Sequence, residues 1–155
     1  MITATHSHAK PKVLIVNDNA TELGSLLAGL EAEGFQVSGT TDAHAAVELL
    51  SQTMFHVVLI DLMIPDLNGL QLARKIRQQF PHTTTMLMSD YLLSPVQLAK
   101  ADTGAIGFVP KPFHFKEIAG FVKEKLKNAT TKSELSPALT ASQVPIDILS
   151  VRYTC

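Results

Sequence analysis

The order of apolar and polar residues along the chain predicts alternating strands and helices. Five short runs are apolar and rich in β-branched residues, as expected of buried strands. The runs are Val13–Val16, Phe35–Thr40, Val57–Ile60, Thr84–Met88 and Ala105–Val109. Between them, apolar residues recur three and four positions apart, the spacing of an amphipathic helix. The pattern therefore predicts five strands that alternate with five helices.

Residues that favour helix ends mark the boundaries of these helices. Gly34 suits the exit of the first helix, and Asp42 is a predicted N-cap for the second. Asn68 supplies the turn into the third, and Ser94 is the predicted N-cap of the fourth, with proline in its first turn. The apolar positions that define the first, third and last helices are Leu23, Leu26, Leu27 and Leu30; Leu70, Ala73 and Ile76; and Ile118, Phe121, Val122 and Leu126.

This alternation is typical of an α/β fold with a parallel sheet. The strand runs lack a polar face, so we expect helices to cover both sides of the sheet. Residues 1–11 are predicted to be a flexible arm, 12–127 the domain, and 128–155 a linker or tail. The final segment "VPIDILSVRYTC" turns apolar again and is compatible with either a strand or a partner-docking segment.

The length, charge and composition of the chain argue against several classes of function. The chain has 155 residues, enough for one domain with a proper core. A formal net charge of −1 argues against a broad electrostatic contact with nucleic acid or anionic lipid. Cys155 is the single cysteine, which fits a reducing cytoplasm. No apolar run reaches membrane-spanning length and the N-terminus lacks a secretory signal, so we expect a cytoplasmic protein that binds neither DNA nor membrane.

Chemically active side chains follow four of the predicted strands. Ligands of open parallel sheets bind beyond the carboxyl ends of the strands, so these side chains should share one rim. They are Asn17 and Asp18 after the first strand, Asp61 after the third, Ser89 and Asp90 after the fourth, and Lys111 after the fifth.

Such a set suits phosphoryl chemistry. Two neighbouring carboxylates repel each other, and a hard cation such as Mg²⁺ relieves that repulsion. A carboxylate can also act as a nucleophile and form an aspartyl phosphate. A lysine, a hydroxyl and a metal would then stabilise the charge on the phosphoryl oxygens.

The sequence resembles the receiver domains of two-component response regulators over roughly residues 12–127. The resemblance rests on "VLIVNDN", "VVLIDLMIPDLNGLQLARKIR", "MLMSD" and "GFVPKPF", which occur in order and at family-like spacing. It implies a flavodoxin-like, CheY-like sheet of order 2-1-3-4-5. It also implies a signalling switch, which takes a phosphoryl group from a sensor histidine kinase or a histidine phosphotransfer protein and catalyses only its own phosphorylation and dephosphorylation.

The resemblance assigns roles to particular residues. Asp61 would accept the phosphoryl group, and Mg²⁺ (or Mn²⁺) would be held by Asp18, Asp61 and the backbone carbonyl of Met63. Ser89 would be the switch hydroxyl and Phe108 the switch aromatic. Lys111 would contact the acceptor and the phosphoryl group, and it would precede Pro112 through a cis peptide bond.

Two departures from the family pattern bear on this reading. The first acidic position is Asn17, which would reach the metal only weakly, through water. Asp90 stands where the family has a small residue, so it and Tyr91 are candidate modulators of access to the site. The family's partner or dimerisation face would correspond here to residues 94–101, 106–109 and 113–126, and a downstream output protein or a second copy would bind there.

Other functions stay open at this point. Asn17 and Asp90 favour a pseudo-receiver, which keeps the fold as an interaction platform without phosphate. An aspartyl-nucleophile phosphatase needs a second carboxylate two residues after the nucleophile, where this chain has Met63. A P-loop needs a glycine-lysine loop after the first strand, and a flavin site needs a phosphate-cradling loop there. Asn17-Asp18-Asn19 supplies neither.

Overall fold

The computed structural model describes residues 10–64, 68–90, 107–135 and 147–148. The strands are β1 (Lys12–Val16), β2 (Gln36–Thr40), β3 (Val57–Asp61), β4 (Thr84–Ser89), β5 (Gly107–Pro110) and β6 (Asp147–Ile148). The helices are α1 (Ala20–Ala32), α2 (Ala43–Gln52), α3 (Gly69–Gln79) and α4 (Phe115–Leu135). The fourth predicted helix, which would start at Ser94, lies outside the described residues, as does residue 91.

The strands form one parallel sheet in the order β2-β1-β3-β4-β5-β6. The predicted α/β class and the order 2-1-3-4-5 are thereby confirmed. A sixth strand was not predicted as part of the sheet: Asp147 pairs with Gly107 and Ile148 with Phe108 on the outer edge of β5. The final segment was predicted to be either a strand or a partner-docking segment, and its residues 147–148 form a strand. Residues 128–135, which the sequence suggests are a linker, continue α4.

Side-chain caps fix where the helices begin. Asn19 Oδ1 accepts a hydrogen bond from the Glu22 N–H at 3.0 Å and caps α1. Asp42 caps α2 as predicted, by accepting from the His44 N–H at 2.9 Å. Asn68 opens α3 with a capping box completed by Gln71. Each cap satisfies backbone donors that the first helical turn leaves unpaired.

The core consists of two apolar layers, one on each face of the sheet. Leu14 and Val16 of β1 face the layer that holds α2 and α3, and Val13 and Ile15 face the layer of α1 and α4. Every residue of β3 is buried, since helices cover both faces at the centre of the sheet. In the part of the chain that the structure describes, no helix is both long and apolar enough to cross a membrane.

The expectation that all strands are apolar on both faces is wrong for β2. Gln36 and Ser38 are exposed, and Val37 and Gly39 are only partly buried. Among the described strands, β2 is the outermost on its side, and its one neighbour there is β1. An edge strand meets solvent along one side, so its polar residues need no partner in the core.

Gly69 brings the start of α3 against the end of β3. A Cβ atom at this position would lie 2.5 Å from the Asp61 carbonyl oxygen and 2.7 Å from Leu62 Cα. The Gly69 N–H donates to the Leu62 carbonyl oxygen at 3.2 Å. The first turn of α3 therefore rests directly on the backbone that carries Asp61.

We predict that Gly69→Ala destabilises the protein by about 1–3 kcal/mol, because the new methyl group meets backbone that cannot move aside. Gly24→Ala is the matched control. Gly24 lies in exposed helix with no atom within 4 Å of an added Cβ, so alanine there should stabilise the fold by about 0.5–1 kcal/mol. Urea unfolding measures both, and equal effects of the two substitutions would contradict the prediction.

Candidate functional site

Asp61, the last residue of β3, is a buried carboxylate with two fixed partners. The residue is 4% exposed. Its Oδ1 accepts a hydrogen bond from the Met63 N–H at 2.9 Å, and its Oδ2 lies 2.7 Å from Lys111 Nζ. A buried charge is tolerated only when it is paired and hydrogen-bonded. Met63 and Lys111 meet that requirement and hold the carboxylate in one orientation.

Lys111 reaches Asp61 from the loop after β5. Its backbone N–H donates to the Ser89 carbonyl oxygen at 2.9 Å, which ties this loop to the end of β4. The Lys111-Pro112 peptide bond is cis, as the resemblance implies. The lysine side chain is 8% exposed, so its ammonium group also needs partners within the protein.

The second partner of Lys111 is Glu22, a residue that the sequence analysis missed. Glu22 lies in the first turn of α1, and its Oε1 and Oε2 are 2.9 and 3.0 Å from Lys111 Nζ. A helix that follows a parallel strand starts at the same rim as the strand's carboxyl end. That topology was the available signal, since it brings the first turn of α1 to the rim that holds Asp61 and Lys111.

The two carboxylates govern the protonation of Lys111. Burial on its own lowers the pKa of the ammonium group, but the hydrogen bonds to Asp61 and Glu22, together with their negative charges, raise the pKa above the ordinary value of 10.5. Because the pKa of Lys111 is higher in the folded protein than in the unfolded chain, its ion pairs contribute their full stabilisation at pH values below the unfolded-state pKa. That contribution is lost as pH rises through the raised pKa.

Asn17 is completely buried beside Asp18 at the end of β1. Its Oδ1 accepts a hydrogen bond from the Asn19 N–H at 2.9 Å. This contact fixes the orientation of the amide. The amide nitrogen Nδ2 is a hydrogen-bond donor, and among the described residues it has no acceptor. A buried donor without an acceptor is costly. The amide therefore favours an acceptor as its neighbour, such as an anionic oxygen.

The other predicted residues occupy neighbouring strand ends. Ser89 ends β4 and is buried, one position beyond Met88, the partner of Asp61 in the sheet register. Phe108 is fully buried in the core layer of α2 and α3. Asp90 is exposed. The structure thus brings Asp61 and Lys111 into contact, and it shows Asn17, Ser89 and Asp90 at the ends of β1 and β4.

A cleft of about 310 Å³ opens beside Lys111. Its lining residues include Glu22, Asp90 and Lys111, and also Phe113 and Phe115. Two of these residues carry negative charge beside the paired ammonium group of Lys111.

The residues at the ends of β1 and β3 fit Mg²⁺ by the type of donor that they offer. The register pairs Val16 with Ile60, so Asp18 and Asp61 follow adjacent strands. Two carboxylates and the Met63 carbonyl are hard oxygen donors, and Mg²⁺ keeps several waters besides one or two carboxylates. The residues that the structure describes contain no group of three or more His, Cys, Asp or Glu side chains that could hold a metal ion. Mg²⁺ does not require such a group.

Comparison with known proteins gives one family and several relatives. A family model described as "Response regulator receiver domain" matches residues 13–123. The "Uncharacterized transcriptional regulatory protein YkoG" of Bacillus subtilis (strain 168) is 29% identical over 125 residues, which make up 81% of this chain and 55% of YkoG. The chain thus spans about half the length of this relative.

Solved structures share the fold. A CheY-like response regulator receiver domain protein from Methanospirillum hungatei JF-1 superposes with a TM-score of 0.74 at 24% identity, over 80% of this chain and 99% of that protein. The BeF3-activated receiver domain of DrrB, a Thermotoga maritima protein, gives a TM-score of 0.68 at 25% identity, over 77% and 99% of the two chains.

We predict that Asp61→Asn lowers the pKa of Lys111, because burial remains while one hydrogen-bonded negative charge is lost. NMR titration of the lysine Cε and Hε resonances measures it. Asp42→Asn is the matched control: it removes a carboxylate from the start of α2, keeps a good N-cap, and should leave the Lys111 pKa as in the wild type. An unchanged Lys111 pKa in Asp61→Asn would show that the pair does not form in solution.

Proposed function

The chain belongs to the response regulator receiver family, and from this premise we propose that it is a phosphorylation-controlled switch with Asp61 as the phospho-acceptor. The family is one of signalling switches, not of enzymes that turn over an external substrate. The observation that carries the assignment of Asp61 is its buried contact with Lys111 at 2.7 Å. This contact supports the proposal because it joins a carboxylate and a cation at the rim where ligands of this fold bind.

The proposed reaction is transfer from a phosphohistidine of a sensor histidine kinase or a histidine phosphotransfer protein. An Asp61 carboxylate oxygen forms the new bond to phosphorus as the P–N bond breaks, and its electron pair stays on the imidazole nitrogen. Lys111 offsets negative charge on the acceptor and on the phosphoryl oxygens. In such transfers, positioning and charge stabilisation supply most of the catalysis.

Asp18, Asp61 and the Met63 carbonyl are the residues that would hold Mg²⁺ (or Mn²⁺). The bound ion would supply positive charge that offsets the repulsion between the carboxylates and the phosphoryl oxygens. Asn17 would contribute only weakly, through water. Its Oδ1 already accepts from Asn19 and its Nδ2 is a donor, which supports a weaker metal site than an acid would give.

We propose that the signal leaves the site through Ser89 and Phe108. Ser89 ends the strand beside Asp61, and Phe108 lies in β5, the next strand in the sheet. Small shifts of packed side chains like these give a bistable element that a partner can read. The proposed partner face comprises residues 107–109 and 113–126, with 94–101 and 106 outside the described residues. Its occupant would be a downstream output protein or a second copy of the chain.

These steps would take place in the cytoplasm, where histidine kinases present their phosphoryl groups. YkoG is named a transcriptional regulatory protein, but this chain spans 55% of its length. The output of that relative therefore does not transfer to this chain. We propose no direct contact of this chain with nucleic acid.

A pseudo-receiver is the second candidate, and two observations favour it. Asn17 places a neutral amide at the metal side of the site, and Asp90 adds a negative charge to the cleft beside Lys111. Such a protein would bind partners through the same fold without phosphate. Mg²⁺ affinity separates the two: negligible binding at millimolar metal would favour the pseudo-receiver.

We predict that incubation with acetyl phosphate and Mg²⁺ adds one phosphoryl group to the wild-type chain and none to Asp61→Asn. Intact-mass spectrometry measures the adduct, and EDTA should abolish it because the carboxylates then repel the donor unaided. An adduct that persists in Asp61→Asn would refute the assignment of the acceptor. No adduct on a folded wild type would favour the pseudo-receiver.

A related prediction concerns Asp90. Asp90→Ala should increase the initial rate of adduct formation, because it removes the negative charge of a residue that lines the cleft beside Lys111 and leaves the Asp61–Lys111 pair in place. Asp42→Asn, which removes the same charge elsewhere, is the control. Equal rates for all three proteins would show that Asp90 points to solvent and does not affect access.

A further inference from the structure

Lys111 serves two carboxylates at once. Its ammonium group lies 2.7 Å from Asp61 Oδ2 and 2.9 and 3.0 Å from the two oxygens of Glu22. The side chains of Asp61 and Lys111 are 5% and 8% exposed, and that of Glu22 is 31% exposed. Two negative charges and one positive charge leave this cluster with an excess of one negative charge before any phosphoryl group arrives.

The loop before α1 explains why Glu22 is available to the lysine. Glu22 is the third residue of α1, where an acidic side chain usually folds back onto the backbone N–H of the N-cap residue. Here that donor, the Asn19 N–H, is already taken by Asn17 Oδ1 at 2.9 Å. The Glu22 carboxylate is thereby left to turn toward Lys111.

Glu22 also lines the cleft beside Lys111, and Asp90 is another of its lining residues. Asp61 does not line this cleft, so the cleft borders the lysine and not the proposed acceptor. A phosphodonor that comes close to Lys111 carries negative charge and meets the negative charge of Glu22. Like charges at the rim of a site mainly slow association, and they do so most at low salt.

From this geometry we propose that Glu22 is a third acidic residue of the phosphorylation site, which competes with the phosphoryl group for Lys111 and restrains phosphorylation of Asp61. This inference rests on the proposed function. Glu22 acts through Lys111 and is a positioning residue. Its effect is electrostatic: it draws the ammonium group toward α1 and repels the incoming anion.

Acetyl phosphate makes the competition measurable. In this reaction an Asp61 carboxylate oxygen forms a bond to phosphorus, the P–O bond to the acetyl group breaks, and acetate leaves with the electron pair. The negative charge on the transferred group adds to that of Glu22 around one ammonium group. Replacing Glu22 by glutamine removes one of the two competing anions and preserves the size of the side chain.

The experiment compares initial rates of adduct formation on the full chain, by intact mass, with acetyl phosphate and Mg²⁺. Glu22→Gln should react about fivefold faster than the wild type at low salt. The ratio of the two rates should become smaller near 1 M salt, because salt screens the repulsion between Glu22 and the incoming donor, whereas the partly buried contact with Lys111 is screened less. Phosphoramidate, a less negatively charged donor, should show a smaller difference. A merely structural effect of the substitution would not depend on salt or on the charge of the donor.

Glu31→Gln is the matched control. Glu31 is an exposed residue of the same helix, outside the cleft, and its replacement changes the net charge of the protein equally. Its rate should equal that of the wild type at each salt concentration. Circular dichroism and a urea midpoint for each variant show that all three proteins are folded.

The outcomes separate this inference from the proposed function. A wild type that is labelled at Asp61, with Glu22→Gln equal or slower, overturns the role of Glu22 and leaves the phospho-switch standing. If neither folded protein is labelled, both the role of Glu22 and the proposed phospho-switch are overturned. Label on Glu22→Gln alone supports both and shows that Glu22 blocks the small donor completely.

Discussion

A carboxylate buried at the end of a central strand needs a cation, and the rest of this site follows from meeting that need. Asp61 is held by Met63 on one side and by Lys111 on the other. Lys111 can reach it because its loop is tied to the end of β4, and β4 is paired to β3. The parallel sheet is thus more than a support: its register decides which side chains share the rim.

The same need links the end of β1 to Lys111 through α1. Asn17 occupies the N–H of Asn19, and Asn19 caps the helix that carries Glu22. A neutral amide therefore follows β1, and a glutamate contacts Lys111.

Much of the fold was predictable because it depends on local pattern. The runs at Val13–Val16 and Val57–Ile60 are continuous and apolar, and such runs lie at the centre of a covered sheet. Caps such as Asp42 announce helix starts by residue type. The prediction for β2 was wrong because Gln36 and Ser38 alternate with Val37 and Gly39, and such alternation marks a strand with one exposed face. The helical residues 128–135 carry no apolar stripe in the sequence, so the pattern did not predict that they extend α4.

Site residues that stand at the end of a strand could be predicted from the sequence. A residue that joins the site through a contact with a residue far away in the sequence could not. Asp61 and Lys111 stand at strand ends, and the motifs around them point to a pair. Glu22 in a first helical turn is explained equally well by the helix dipole, which favours acids there. Its contact with Lys111 joins residues 89 positions apart and becomes visible only in three dimensions.

The short strand β6 bears on how the molecule behaves among copies of itself. Without it, β5 would be the last strand of the sheet, with unpaired backbone groups along its outer side. Such a side is a template on which another chain can add a strand and start aggregation. Asp147 and Ile148 fill two of those positions. A recombinant fragment trimmed after α4 would lack these two pairings, and the outer side of β5 would then offer its backbone groups to another chain.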